Sequence, residues 1–239
     1  MKKIKLPSIQ HVARQWAPTP EKVAKNLENL ALSAPPFSYE PMYQFVRGML
    51  VMGDPVEQVC KVVEESRLHP TARRNFVELL PMVAQYFSGV KPDYALEVAP
   101  RYYPVGKELL VPFKPPLIYG RKGDTVLPWF VFWRSNPLVG ENLALFVTLV
   151  SEMMEQDPDL ENSNFCILDF SAPDAKTPRQ LTVIEGNQIE RVPEKRKGEM
   201  LDILVAGYQI AQTNLLKRTS KQEKLEVILL DENLGGQLF

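Results

Sequence analysis

The chain has 239 residues, enough for one large domain or two small ones without disulfides or metal ions to hold the core together. Hydrophobic residues make up 45% and charged residues 24%, which is ordinary for a soluble globular protein. The net charge of −1 excludes a strong overall field for attracting nucleic acid or anionic lipid, and leaves room only for a local basic patch. Prolines outnumber glycines, 21 to 12, which predicts many short elements with rigid joints.

The two cysteines, Cys60 and Cys166, lie in separate apolar runs and form no C-x-x-C pair. They predict buried free thiols, which fit a reducing compartment, and exclude a zinc ribbon or a redox pair. The basic first residues are not followed by the apolar segment of a signal peptide. No uninterrupted apolar run reaches the ~18 residues that a membrane span needs. We therefore expect a cytoplasmic protein without a membrane partner.

The N-terminal part carries repeated helix signals. Thr19-Pro20-Glu21 combines a capping residue, a proline at the first helical position and an acid near the positive helix end. Gly53 is typical of a helix end. Residues 1–18 predict either an irregular arm or a short first helix. Four amphipathic helices are expected after it, with apolar stripes at Val23–Ala31, Met42–Leu50, Val56–Val63 and Phe76–Phe87.

The centre of the C-terminal part is the segment Leu117–Arg134. It predicts two strands joined by a tight turn at Arg121–Asp124, and the second strand is almost wholly apolar. Pro128 within that second strand indicates an edge position or a bulge, because proline cannot donate a hydrogen bond to a neighbouring strand.

The segments around this hairpin predict further strands and two helices. Tyr94–Val98 and Glu108–Val111 predict strands on either side of Pro104-Val105-Gly106. Downstream we expect an apolar crossover helix starting at Asn136-Pro137, a buried parallel strand Phe165–Phe170, a polar loop Ser171–Arg179, a hairpin of Leu181–Ile184 with Ile189–Val192, a long helix from Glu194, and a last strand Leu225–Leu230.

These expectations define an α+β fold class. An α-helical module at residues 1–90 is followed by a mixed α/β sheet domain at residues 93–239. The order of elements from Tyr94 to Leu216 resembles the PD-(D/E)xK nuclease fold in its RecB-type branch, which implies a restriction-endonuclease-like order. The resemblance lies in the order and texture of the elements.

In that family a strand bearing Asp is followed by a tight turn and a strand bearing (D/E)-x-K, and a helix then carries a supporting polar residue. The carboxylates hold divalent cations and the lysine positions or activates the attacking water. In this chain the (D/E)-x-K position falls on Phe132-Trp133-Arg134, and no carboxylate occurs from Thr125 to Gly140. The helix offers Glu141 and Asn142. The resemblance therefore implies a degenerate site.

An alternative interpretation keeps nuclease activity with relocated ligands. Asp124, Glu141 and Asp169 would hold Mg²⁺ or Mn²⁺, and Lys176, in the sequence Asp174-Ala175-Lys176, would assist. The same residues also have a purely structural interpretation. Asp169 would be a strand-edge aspartate bonded to loop amides, and Asp174 to Lys176 would be a solvated loop.

A further alternative is contact with nucleic acid through basic residues of the last helix. The candidates are Lys195, Arg196, Lys197, Lys217 and Arg218. Acidic residues alternate with them, which favours a solvated helix face. The first hypothesis for function is accordingly non-enzymatic: an interaction or assembly module with a protein partner, no resident cofactor, and a place within a nucleic-acid-handling complex.

Overall fold

The computed structural model describes residues 7–32, 37–106, 109–174 and 176–234, with side chains up to residue 218. These parts of the chain form an α+β fold. The helices are α1 (Ile9–Gln15), α2 (Pro20–Leu32), α3 (Glu40–Arg47), α4 (Val56–Glu65), α5 (Pro70–Val90), α6 (Gly140–Glu155) and α7 (Glu194–Leu234). The strands are β1 (Tyr94–Leu96), β2 (Arg101–Gly106), β3 (Leu109–Phe113), β4 (Ile118–Arg121), β5 (Asp124–Val131), β6 (Asn164–Asp169) and β7 (Thr182–Glu185).

Five strands form one mixed sheet in the order β1-β4-β5-β6-β7. Strands β5 and β6 are parallel and are connected through α6, whereas every other neighbouring pair is antiparallel. This confirms the expected crossover helix and the buried parallel strand. Strands β2 and β3 form a separate antiparallel ribbon.

The hairpin of β4 and β5 forms where the sequence predicts it. Its turn residues Lys122 and Gly123 both have positive φ, at 52° and 90°, as a two-residue turn that follows the strand twist requires. Next to the turn, the ring of Tyr94 lies against Gly120, its partner across the β1–β4 pair. A Cβ atom at residue 120 would come within 2.0 Å of that ring, so only glycine allows this packing.

Alternation along the strands sends side chains to two hydrophobic clusters, one on each face of the sheet. On β5, Trp129 and Val131 belong to one cluster, whereas Phe130 belongs to the other. On β6, Ile167 and Leu168 are divided in the same way. The first cluster is completed by α1, α2, α6, α7 and the β2–β3 ribbon; the second is completed by α3, α4 and α5.

Helices from the N-terminal part therefore cover both faces of the sheet. Helices α2 and α7 approach closely: a Cβ atom added to Gly207 would meet Val23 at 2.6 Å and the carbonyl oxygen of Pro20 at 2.9 Å. The division at residues 1–90 and 93–239 stays a prediction, and each cluster draws residues from both sides of it.

The first eighteen residues contain α1 rather than an irregular arm, so five helices precede the sheet in the described chain. Helix α1 lies beside the free edge of β5. Pairing with β4 ends at Val126, and beyond it the buried Gln10 donates a hydrogen bond to the carbonyl of Phe130 at 3.1 Å. Pro128 lies beyond Val126, the last residue of β5 that pairs with β4, but it is still in register with Cys166 of β6. At Pro128, β5 therefore has a free edge on the β4 side only.

Three local expectations in the C-terminal part are wrong. The hairpin of Leu181–Ile184 with Ile189–Val192 does not form, because β7 pairs with β6 instead. The expected strand Leu225–Leu230 continues α7, since a short apolar run fits a strand or a helix equally well. Helix α6 starts at Gly140, after the side chain of Asn136 has accepted a hydrogen bond from the amide of Leu138.

Candidate functional site

The carboxylates of the relocated nuclease site lie at opposite ends of the sheet. Asp124 opens β5, whereas Asp169 closes β6 and is in register with Val131 at the other end of β5. Seven residues of strand separate the two positions, which is roughly 20 Å at the rise of an extended chain. The structure does not bring these two residues together, and the described residues contain no group of three His, Cys, Asp or Glu side chains arranged to hold a metal ion.

Asp169 is buried and serves as a structural acceptor. Its carboxylate receives hydrogen bonds from the amide of Asn136 at 2.7 Å and from the backbone N–H of Ser171 at 2.9 Å. The side chain therefore joins the segment that leaves β5 to the segment that leaves β6. This is the structural interpretation of a strand-edge aspartate.

The two polar residues at the start of α6 bind protein groups. Glu141 forms an exposed ion pair with Arg196 at 2.9 Å. The amide of Asn142 lies 2.9 to 3.3 Å from three backbone oxygens at the end of α1, those of Ala13, Arg14 and Trp16. The Ala13 oxygen also accepts a hydrogen bond from the Trp16 N–H at 3.2 Å. Because a helix leaves its last carbonyls short of partners, Asn142 helps to cap the end of α1.

Lys176 and Asp174 lie in the exposed loop after β6. The Asp174 carboxylate accepts hydrogen bonds from the backbone N–H groups of Lys176 and Thr177 and from the Thr177 hydroxyl. These bonds, the one from the Thr177 hydroxyl first, lower the pKa of Asp174. Asp174 thus binds the backbone of its own loop.

The residue that organises the carboxyl end of the parallel strands is Arg179, which sequence analysis missed. Its side chain is 1% exposed, and Nη1 lies 3.0 to 3.1 Å from the carbonyl oxygens of Phe132, Trp133 and Phe170. These oxygens belong to the segments that follow β5 and β6. An arginine in a polar loop looks like an ordinary surface residue, so the sequence carried no signal for this role.

The rest of the Arg179 guanidinium is bonded to α5. Nε donates to the Glu78 carboxylate at 3.2 Å, and Nη2 donates to the Asn75 side chain at 2.7 Å. Asn75 and Glu78 are three residues apart, so both point from the same face of the helix. Arg179 thereby ties two strand ends to a covering helix.

Aromatic rings fill the space beside this guanidinium. Phe130, Phe132 and Phe170 stack with ring centroids 5.2 to 6.4 Å apart. Trp133 contacts His11 edge-on at 5.2 Å, and the guanidinium of Arg14 lies 4.5 Å from the centre of the Trp133 ring. Phe132 and Trp133 occupy the stretch where the family resemblance would place (D/E)-x-K.

The basic candidates on α7 are largely neutralised by carboxylates. Arg196 pairs with Glu141 and Glu199, and Arg218 pairs with Glu28. Lys197 is buried and pairs with Glu152 at 2.6 Å and with Glu194 at 2.8 Å. Lys195 and Lys217 are exposed on the same helix. These residues do not form a continuous basic surface.

The amino end of the same parallel strands is open. A cavity of about 640 Å³ lies over the first residues of β5 and β6. Its inner wall includes the buried side chains of Tyr119, Phe165 and Cys166, and its rim carries charged residues. Both cysteines are free thiols, and burial together with Glu185 raises the pKa of Cys166 to about 12.

Comparison with protein-family models, with curated proteins and with solved structures finds no match to this chain. Among the described residues, no helix is both long and apolar enough to span a membrane. Proposals about function therefore rest on the structure itself.

Proposed function

We propose that the protein is a non-enzymatic interaction or assembly module built on a nuclease-like sheet. The nuclease-like part is supported by the order of elements: the antiparallel strands β1, β4 and β5, the crossover helix α6, and the parallel strand β6. The non-enzymatic part rests on one observation, the buried guanidinium of Arg179 beyond the carboxyl ends of β5 and β6.

A divalent cation needs carboxylate or carbonyl oxygens around it. At this sheet end three backbone oxygens are already held by Arg179, and the positive guanidinium would repel a second cation nearby. The nearest strand-end carboxylate, Asp169, is bonded to Asn136 and Ser171. This combination favours a structural joint over metal-assisted hydrolysis.

We place the partner of the module on the outer face of the β2–β3 ribbon. Along both strands of the ribbon, buried residues alternate with residues that point outward. The outward residues carry no charge. Tyr102 and Leu110 are 55% and 53% exposed there. The outward residues described are Tyr102, Pro104, Gly106, Leu110 and Pro112. Tyrosine and leucine anchors between prolines suit a protein partner with apolar side chains better than the phosphate backbone of a nucleic acid.

Direct contact with nucleic acid is not favoured as the main activity, because Arg196, Lys197 and Arg218 of α7 have carboxylate partners. Membership of a nucleic-acid-handling complex would then depend on the protein partner.

The non-enzymatic claim is tested by incubating the purified chain with plasmid DNA, single-stranded DNA and RNA in the presence of Mg²⁺ or Mn²⁺. We expect no cleavage above that of an Asp169→Asn preparation made in parallel. Cleavage that disappears in Asp169→Asn would contradict the proposal.

The interaction claim is tested with a photo-crosslinking amino acid placed at position 102 in native cells, and at position 61 as a control. Lys61 is exposed on α4, away from the ribbon. We expect one identified protein to crosslink at position 102 only. The complex rebuilt from the two purified proteins should bind at least tenfold more weakly with Leu110→Lys. Equal crosslinking at both positions, or unchanged affinity, would contradict the proposal.

A further inference from the structure

The cavity at the amino end of β5 and β6 has the size and lining of a small-molecule site. Its volume of about 640 Å³ lies within the usual range of about 300–1,000 Å³ for ligand pockets. It is formed by the β4–β5 turn, the first residues of β5 and β6, the end of β7, and parts of α5 and α6. It lies at the end of the sheet opposite to Arg179.

Polar atoms converge on one side of this cavity. The hydroxyls of Tyr86 and Tyr119 are 3.2 Å apart, and burial, with a smaller contribution from the nearby Cys166 thiol, raises the pKa of both tyrosines. A phenol can both donate and accept, so this pair retains capacity for a ligand oxygen or nitrogen. Burial raises the pKa of Tyr119, which keeps its hydroxyl protonated and able to donate.

Charges of both signs surround the Tyr119 hydroxyl. Arg121 is two residues from Tyr119 on β4, and therefore points to the same face of the sheet. On the far side, Glu185 is in register with Cys166 and shares that face. Both act on Tyr119: Arg121 lowers its pKa and Glu185 raises it, each less than burial does. Asp124, opposite Arg121 in the hairpin, adds a second carboxylate.

Only part of the charge at the rim is paired among the described side chains. Arg191 is paired with Glu155 at 2.6 Å. In contrast, none of the ion pairs among the described side chains involves Arg121, Asp124 or Glu185. Arg121, Asp124 and Glu185 therefore face the cavity beside two hydroxyls without an ion-pair partner among the described side chains, as do Lys122 and Glu161.

We propose that this cavity binds a small zwitterion, a free amino acid or a short peptide. The ammonium group would bind the Glu185 carboxylate, and the ligand carboxylate would receive paired hydrogen bonds from the Arg121 guanidinium. In a dipeptide, the tyrosine hydroxyls would bind the peptide group between the two charged groups. The volume exceeds what a glycine-sized ligand fills, which favours a large side chain or a dipeptide.

The test uses the full chain and calorimetric titration with each of the twenty standard amino acids and with a set of dipeptides. We expect at least one member to bind with a single site per chain. Comparing the affinities of amino acids and dipeptides shows which of the two ligand classes the cavity prefers. For each hit, the N-acetylated form lacks the ammonium and the amidated form lacks the carboxylate. Both derivatives should bind at least tenfold more weakly than the parent compound.

Substitutions locate the site. Glu185→Gln and Arg121→Gln should each weaken binding of the hit at least tenfold, with thermal unfolding used to verify that both variants fold. Glu57→Gln and Arg67→Gln change exposed charges outside the cavity and should leave affinity unchanged. The proposal is overturned if no member of the panel binds, if the blocked derivatives bind as well as the parent, or if affinity is unchanged in both cavity variants.

Discussion

The two ends of one pair of parallel strands differ in how their polar groups are satisfied. At the carboxyl end, the Arg179 guanidinium and the Asp169 carboxylate are both buried and bonded to protein groups. At the amino end, Arg121 and Glu185 face a cavity without an ion-pair partner among the described residues. A fold resemblance draws attention to the first end, whereas the uncompensated groups that a ligand could satisfy lie at the second.

The first way to break this comparison is to remove the guanidinium with Arg179→Met. The substitution leaves buried carbonyl oxygens and the Asn75 side chain without a donor, and we expect the free energy of unfolding to fall by about 3–5 kcal/mol. Urea unfolding followed by tryptophan fluorescence measures it. Arg134→Met is the matched control, since Arg134 is 46% exposed and lies 3.8 Å from the same Glu78. It should cost less than about 1 kcal/mol. Equal effects would contradict a joint centred on Arg179.

The second substitution asks whether the wall of the cavity is closely packed. A Cβ atom at Gly186 would lie 2.2 Å from the Phe165 ring, so Gly186→Ala should lower the free energy of unfolding by about 1–3 kcal/mol. Gly198 lies in α7 with no atom within 4 Å of its added Cβ, and Gly198→Ala should stabilise by about 0.5–1 kcal/mol. Thermal unfolding compares the two. A neutral Gly186→Ala would indicate a loosely formed wall.

The third prediction concerns acid. Burial lowers the pKa of His11 from 6.5 to about 4, with a smaller contribution from Arg14. On acidification the unfolded chain therefore takes up a proton before the folded chain does. The neutral His11 side chain therefore contributes to the free energy of unfolding above pH 6.5. This contribution, about 1–2 kcal/mol, is lost as the pH falls towards 4. His11→Gln removes this step, so the difference between the wild-type and variant unfolding curves should shrink over that interval. A difference independent of pH would contradict it.

The smallest effect is expected at Glu141, one of the residues proposed as a metal ligand. Its pairing with Arg196 is exposed, so Glu141→Gln should change the free energy of unfolding by less than about 0.5 kcal/mol. The neighbouring Asn142→Ala removes the cap of α1 and should cost about 1–2 kcal/mol. Urea unfolding measures both variants. A larger fall in the free energy of unfolding for Glu141→Gln than for Asn142→Ala would contradict the structural roles given to these two residues.

Local chemistry made part of the fold predictable. Lys122-Gly123 between two apolar runs indicated a hairpin, and the apolar helix before Phe165–Phe170 indicated a parallel crossover. Both follow from short-range rules. The β6–β7 pairing was missed because Gly186-Asn187 looks like a hairpin turn, whereas partner choice depends on which strand edge is free.

The sites were less predictable. Arg179 is bonded to residues 9 to 104 positions away along the chain, and such long-range contacts leave no periodic signal. The charges at the cavity were overlooked for the same reason: Arg121 and Glu185 come together only through the order of the sheet. Asp124 was selected for a metal site and lies instead at the cavity.

The most direct test of the closed carboxyl end is a titration of the protein with Mn²⁺ followed by electron paramagnetic resonance, for the wild type and Asp169→Asn. Because Arg179 holds the strand-end carbonyls and Asp169 is bonded to Asn136 and Ser171, we predict the same free Mn²⁺ signal in both proteins. One equivalent of Mn²⁺ bound by the wild type and lost in Asp169→Asn would contradict the account.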